Sequence, residues 1–364
     1  MNLCSNADLQ RLLEKPVLVY GIGRIGKVMT RGLKALKANI IGIAVTSVLP
    51  NDGTAFEEIE IRTIESWKEY SQEVVILIST GAQFFEEIKE NCVTNGFHNI
   101  ITASADLKKH IYQAYYSLWA KGHGLSLDDK MLQIGAGRYI NPFIENMPSE
   151  SDITTFWDEM GDFIFPAIYK DYSLVAEGPY ELGKVNLSSG DVVLDLGSNL
   201  GLFSVYAVSK GCVSYAFEPS SALYEILERH NTLNGSKIKV VPYAASNAVG
   251  QATFYLDANM SCNNSLLADQ VNGGSALTIQ QTTIDEFVKQ EKLERVDFIK
   301  ADIEGAERLM LEGAQQTLKN FAPKLALCTY HLPDDKEVLT ELILKANPNY
   351  KIEYKWKKLY AHVN

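Results

Sequence analysis

The sequence predicts an α/β protein made of two doubly wound units, and three observations predict it. Two separate stretches alternate short β-rich runs with helical patterns, the order that builds a parallel sheet covered by helices. Each stretch opens with a buried-strand run that leads through a glycine turn into a helix. The chain has 364 residues, too many for one compact core and about right for two.

In the first series, residues 16–20 form a strand run and 27–37 an amphipathic helix. Strands follow at 39–45, 73–79 and 99–102, with a helix at 84–95, and the unit closes near Ser104. Residues 105–184 lose this pattern and become aromatic-rich, helical and irregular, which suits a connector that packs as a lid or substrate wall. The second series, 185–364, has strands at 191–195, 213–217, 238–242, 296–301 and 324–329, and helices at 200–209, 222–234, 306–319 and 336–346. Residues 251–257 alternate like a hairpin arm, and 351–363 close the chain as an antiparallel hairpin. Within 306–319, Ala306, Leu309, Met310, Gly313, Ala314 and Leu318 share one helical face.

Composition narrows the function. Hydrophobic residues make up 46% and charged residues 22%, the balance of an ordinary soluble globular chain. The net charge of −11 divides into −2 on residues 1–150 and −9 on 151–364, which argues against a nucleic-acid partner, since phosphate neutralisation needs clustered Lys and Arg. Five widely spaced cysteines without a C-x-x-C suit free thiols in a reducing compartment. The N-terminus shows no secretion signal, and the longest apolar stretch, 40–49, is too short for a membrane span. A cytoplasmic location is expected, and self-association stays open.

The chemistry concentrates at strand ends. Asp195-Leu-Gly-Ser-Asn-Leu-Gly201 sits between a buried strand and a helix, where open α/β sheets bind ligands. Gly197 and Gly201 allow close backbone approach, and Asp195 and Asn199 supply polar groups. Glu218, twenty-three residues after Asp195, ends the next strand, where an acid accepts hydrogen bonds from two ribose hydroxyls. This D-x-G-x-x-x-G spacing, with the acid one βα unit later, fits S-adenosylmethionine, whereas a pyrophosphate favours G-x-G-x-x-G. Capping of the helix by Asp195 and a solvated Glu218 are the blander alternatives. The strand 296–301 ends in Asp302, Glu304 and Glu307, with Lys300 beside them. Glu307 fits a helix start near the positive end of the dipole, and Asp302 and Glu304 fit a functional role. His331 follows the next strand and can approach both acids, where its ordinary pKa suits removal of a hydroxyl proton.

These motifs carry a family resemblance. Residues 163–363 resemble FkbM-type methyltransferases through Glu177-Gly-Pro-Tyr-Glu181, Val193-Leu-Asp-Leu-Gly-Ser-Asn-Leu-Gly201, Ala216-Phe-Glu-Pro219, Asn264-Ser-Leu266, Thr283-Ile-Asp285, Ile299-Lys-Ala-Asp-Ile-Glu-Gly-Ala-Glu307 and Thr329-Tyr-His331. The resemblance implies a class I methyltransferase sheet with a terminal antiparallel hairpin, S-adenosylmethionine as donor, and O-methylation of a hydroxyl on a sugar, nucleotide-sugar, glycan precursor or related metabolite. It completes the expected cofactor set of Asp195, Gly197, Ser198, Asn199, Gly201 and Glu218 with Pro219, Glu177 and Ala245. Class I relatives that use a metal place acids at the same strand ends, so Asp302, Glu304 and His331 are expected either to take the acceptor proton or to hold Mg²⁺.

The first unit carries Gly21-Ile-Gly-Arg-Ile-Gly26 between a strand and a helix, but its second strand runs into Thr46 and Ser47, without the acid a dinucleotide ribose needs. Residues 17–102 resemble the small nucleotide-binding Rossmann domains that precede sugar-modifying transferases. A phosphorylated ligand or a purely organising role is expected there. Two alternatives stand beside methyl transfer: a nicotinamide-dependent oxidoreductase using this glycine turn, and a non-catalytic nucleotide-binding scaffold. The basic cluster Lys351, Lys355, Lys357 and Lys358 fits either a phosphorylated acceptor or solvated strand faces.

Overall fold

The computed structural model describes residues 6–48, 54–81, 84–127, 130–257, 261–271 and 273–363. The chain divides into two compact units, Met1–Asp128 and Asp129–Asn364. The first sheet contains β1 (Val17–Tyr20), β2 (Ile40–Val45), β3 (Ala55–Phe56), β4 (Ile59–Thr63), β5 (Val75–Ile78) and β6 (Ile100–Thr102), in the order β3-β4-β2-β1-β5-β6. All its pairings are parallel except β3 with β4. Strands β1 and β5 are buried along their whole length, as expected where helices cover both sheet faces. Gly21 has φ +113°, and a Cβ on Gly26 would lie 2.1 Å from the Gly21 carbonyl oxygen, so the glycine turn and its helix close tightly on each other.

Residues 105–184, expected as a separate connector, are shared between the two units. Helix Ala105–Gly122 belongs to the first, where it packs on helix Arg24–Ala35; a Cβ on Gly32 would meet the Ile111 carbonyl at 2.3 Å. The second unit takes hairpin β7 (Met131–Ile134) and β8 (Gly137–Ile140), helix Glu150–Glu159, a π turn Met160–Ile164 and helix Phe165–Tyr169.

The main sheet of the second unit is built from β9 (Val192–Leu196), β10 (Val213–Phe217) and β11 (Ile238–Val241), whose chain then leaves for a small sheet of β12 (Ala244–Ala245), β13 (Gly250–Tyr255) and β14 (Ala276–Thr282). It returns as β15 (Phe298–Ala301), β16 (Lys324–Cys328) and the hairpin β17 (Lys351–Lys355) and β18 (Lys358–His362). The order β11-β10-β9-β15-β16-β18-β17, with only the final hairpin antiparallel, is the expected class I methyltransferase arrangement. Strand order reverses between β9 and β15, and this switch point opens a crevice at their carboxyl ends.

The single helix expected over 306–319 is two, Glu307–Glu312 and Gln315–Phe321. A Cβ on Gly313 would stand 2.2 Å from the Ser246 carbonyl, and the Gly313 carbonyl accepts from the Asp285 amide at 2.9 Å. The Asp285 carboxylate then caps the second helix through the amides of Gln316 and Thr317. Among the described residues, no helix is long and apolar enough to cross a membrane. Cys92, Cys212, Cys262 and Cys328 are free thiols, while Cys4 and the rest of the first five residues lie outside the described residues. Gly313→Ala is expected to lower stability by about 1–3 kcal/mol, the cost typical of forced overpacking. A downward shift of the urea midpoint checks this, and an unchanged midpoint would show that the break is not set by this contact.

Candidate active site

Register builds the floor of the crevice. Asp195 on β9 lies opposite Lys300 on β15, and the lysine Nζ reaches the carboxylate at 3.1 Å. Both are deeply buried, at 0% and 4% exposed. The same Nζ donates to the carbonyls of Leu196 and Gly197, so the first residues of the glycine loop hang from β15. Gly197 has φ +70°, and a Cβ there would lie 2.0 Å from the Asp302 carbonyl, so only glycine lets the two loops meet. Gly201, at φ +79°, turns the chain into helix Leu202–Ser209.

Beside this floor lies a cavity with about 530 Å³ of empty space, counted to its open mouth. Gly197, Asn199, Glu218, Pro219 and Ala245 line it, together with Phe217, Tyr243, Phe254, Cys262, Asn264 and Leu266. Burial pushes Glu218 up to about 7. The amides of Asn199 and Ser220 donate to its two oxygens at 3.0 and 2.9 Å, leaving further lone pairs for a ligand. The remaining residues of the expected cofactor set lie elsewhere. Asp195 is walled in by Lys300 and by a hydrogen bond from Ser204 at 2.6 Å, and neither it nor Ser198 or Gly201 lines the cavity. Glu177 accepts from the Tyr330 hydroxyl at 3.0 Å and faces Lys357.

Asp302 and Glu304 also line the cavity, and His331 comes up against both, as the sequence suggested. Strand β15 stops at Ala301, and Glu304 takes φ +53° in a turn tied by the Ser265 hydroxyl to its carbonyl. His331 Nε2 stands 3.6 Å from Asp302 and 3.4 Å from Glu304, while Nδ1 stands 3.1 Å from Glu307. The imidazole is 3% exposed and both nitrogens face carboxylates. Burial opposes a charged ring, but Glu304 and Glu307 outweigh it and push His331 up to about 11. Both flanking carboxylates thus favour the charged imidazolium over the neutral base expected from the sequence. Glu307 does begin a helix, as expected, yet its buried carboxylate also accepts from the amides of Ile303 and Gly305 and clamps the His331 ring.

The two acids differ in charge. Burial would raise Asp302, but Lys300, His331, Lys358 and a 2.7 Å hydrogen bond from the Tyr180 hydroxyl hold it well below the usual carboxylate range. Burial pushes Glu304 up to about 7. Lys358, expected on a solvated or phosphate-binding face, is instead 1% exposed, with its Nζ 4.5 Å from the centre of the Tyr180 ring. Sequence reasoning also passed over Glu159, Cys262 and the specific role of Tyr180, because all three reach the crevice from segments without a periodic pattern. Asp302, Glu304 and His331 offer ligand atoms within 4.8 Å of one another. This donor set fits Mg²⁺ poorly, because the ion prefers an all-oxygen shell and His331 brings a ring nitrogen.

Lys300→Ala is expected to cost about 3–5 kcal/mol, because it leaves the buried Asp195 carboxylate without its partner. The double variant Asp195→Asn with Lys300→Met should recover part of that loss in urea titrations. Additive losses would show that the pair is not coupled.

Several known proteins resemble this chain. The family profile described as "Methyltransferase FkbM domain" matches residues 195–352. The methyltransferase sdnD of Sordaria araneosa is 25% identical over 186 residues, covering 42% of this chain and 69% of that protein. The hexuronic acid methyltransferase AglP of Haloferax volcanii is 24% identical over 162 residues, covering 44% of this chain and 65%, less than two-thirds, of its own length. A solved structure of methyltransferase FkbM from Methylobacillus flagellatus aligns over 98% of this chain and 93% of its own, with 18% identity and a TM-score of 0.41. The profile match thus places an FkbM methyltransferase domain at residues 195–352.

Proposed function

We propose that the second unit is an S-adenosylmethionine-dependent O-methyltransferase acting on a hydroxyl of a sugar, nucleotide-sugar or related small metabolite. The observation that carries this reading is one cavity lined both by the ribose-type acid Glu218 and by Asp302 and Glu304, with His331 set against the latter two. The cavity also fits the cofactor in its lining: Asn199 presents a buried Oδ1 with no hydrogen-bond partner among the described residues, and Gly197 puts no side chain in the ligand's way. Ala245 and Tyr243 supply apolar wall for a base, and Glu218 can accept from ribose hydroxyls.

The cofactor, when bound, supplies a methyl group already activated by a positive sulfur. The chain's own contribution is then orientation and proton handling. Glu304, held near neutrality, receives the acceptor's hydroxyl proton as the oxygen–methyl bond forms and the sulfur–methyl bond breaks. Asp302, kept anionic by its lysines and Tyr180, orients the acceptor hydroxyl. His331, clamped by Glu307, holds Glu304 in place and balances the charge of the acids. The hexuronic acid acceptor of AglP favours a carbohydrate among hydroxylated acceptors.

Calorimetry with S-adenosylhomocysteine is expected to show binding. Methyl transfer to some member of a sugar and nucleotide-sugar panel is expected to persist in a chelator, without added Mg²⁺. Glu304→Gln should lower turnover by about a hundredfold or more while cofactor affinity changes little, the size typical for loss of a general base. Binding of NAD(H) in place of S-adenosylhomocysteine would support an oxidoreductase, and binding without turnover on any acceptor would support a scaffold. Full turnover in Glu304→Gln would remove this residue from the mechanism.

A further inference from the structure

The carboxylates around the glycine loop are almost all occupied. Asp195 is paired with Lys300 and accepts from Ser204, Glu218 accepts from the amides of Asn199 and Ser220 on its two oxygens, and Asp302 accepts from Tyr180 and faces His331 at 3.6 Å. Glu159 has neither a cation within ion-pair distance among the described residues nor a hydrogen bond on its second oxygen. It ends helix Glu150–Glu159, immediately before the π turn Met160–Ile164, a distortion of the kind that re-aims side chains at functional sites. Its Oε1 accepts from the Asn199 side-chain amide at 2.9 Å, and its Oε2 makes no hydrogen bond among the described residues. Asn199 and Cys262 both line the cavity, and Glu159 acts electrostatically on Cys262, Lys300, Asp302 and Asp195. The residue therefore stands behind the Asn199 wall of the cavity, near the segment carrying Cys262, with the Asn199 side chain on Glu159 and the Asn199 backbone amide on Glu218. Helix Glu150–Glu159 also packs on that segment, where Cys262 accepts from the Thr155 hydroxyl.

A carboxylate placed there with one free oxygen is matched to a cation with N–H donors. S-adenosylmethionine carries one, the α-ammonium of its methionine end, opposite its ribose. We infer that Glu159 binds the α-ammonium of the cofactor, with Asn199 fixing the carboxylate's orientation, so that cofactor and product are held by an acid at each end. The inference rests on the S-adenosylmethionine reading above. It also fits the electrostatics, since desolvation pushes the half-buried Glu159 up to about 8 and a bound ammonium would compensate its charge. The arrangement further explains how the loop manages without Asp195, which cannot reach a ligand while it holds Lys300.

The test compares two ligands on the full chain: S-adenosylhomocysteine, which has the α-ammonium, and methylthioadenosine, which lacks the amino-acid end. Glu159→Gln keeps the shape and the Asn199 contact but removes the charge. Its affinity for S-adenosylhomocysteine is expected to fall by about tenfold or more, the loss typical of a charge-assisted hydrogen bond. Its affinity for methylthioadenosine should stay within about twofold of wild type, well under the 1.4 kcal/mol that a tenfold change represents. Equal losses for both ligands would overturn the inference and leave Glu159 a structural partner of Asn199, and no loss for either would overturn it as well. If Glu159→Gln fails to fold, the wild-type protein answers with desamino-S-adenosylhomocysteine: at least roughly tenfold weaker binding than the parent supports ammonium recognition, and equal binding refutes it. Wild-type protein that binds neither S-adenosylhomocysteine nor methylthioadenosine would refute the S-adenosylmethionine reading itself, and the inference with it.

Discussion

The second unit depends on one buried cation. Lys300 stands on the central strand pair and bonds Asp195 and the carbonyls of Leu196 and Gly197, joining β9 to β15 where the strand order reverses. Burying an ammonium is expensive unless its donors are all engaged, and here they are. The consequence is geometric. With the first carbonyls of the glycine loop fixed to the neighbouring strand, Gly197 is pressed against Asp302, and the walls carrying Glu218, Asn199 and Asp302 are placed relative to one another. The consequence is also electrostatic, since the same charge holds Asp302 ionised.

Charge then divides the crevice into zones. Asp302 is surrounded by Lys300, Lys358, His331 and the Tyr180 hydroxyl, and stays anionic. Glu304, two residues on, shares only the His331 contact and is pushed toward neutrality by burial. Two carboxylates with opposed tendencies are what proton handling near neutral pH requires. The imidazolium between them is a product of Glu307, whose backbone hydrogen bonds pin the turn and whose second contact pins the ring. Rigid positioning of this kind matters most for a reaction in which the transferred group arrives already activated.

Much of this was legible in the sequence, for a physical reason. Strands buried on both faces leave continuous apolar runs, so β9, β10, β15 and β16 stand out in the chain, and a glycine is forced wherever two loops touch, as at Gly197. The convergence of His331 on Asp302 and Glu304 followed from strand order alone. Charge states were not legible. Whether His331 is a base or an imidazolium depends on Glu307, which looked like an ordinary helix-start acid, and Lys358 looked solvated until β18 proved to be an interior strand. Asp195 looked like a ligand contact because spacing cannot reveal that the residue opposite is a lysine. Tyr180 and Glu159 come from irregular segments, where no periodicity marks which side chain faces inward.

The central claim is that one cavity holds an adenosyl cofactor between Glu218 and Glu304. A crystal structure of the protein with S-adenosylhomocysteine tests it most directly. The account predicts ribose hydroxyls within hydrogen-bond distance of the Glu218 carboxylate and the sulfur directed toward Glu304. A ligand seated elsewhere, as on the Gly21–Gly26 turn, or with its ribose away from Glu218, would contradict it.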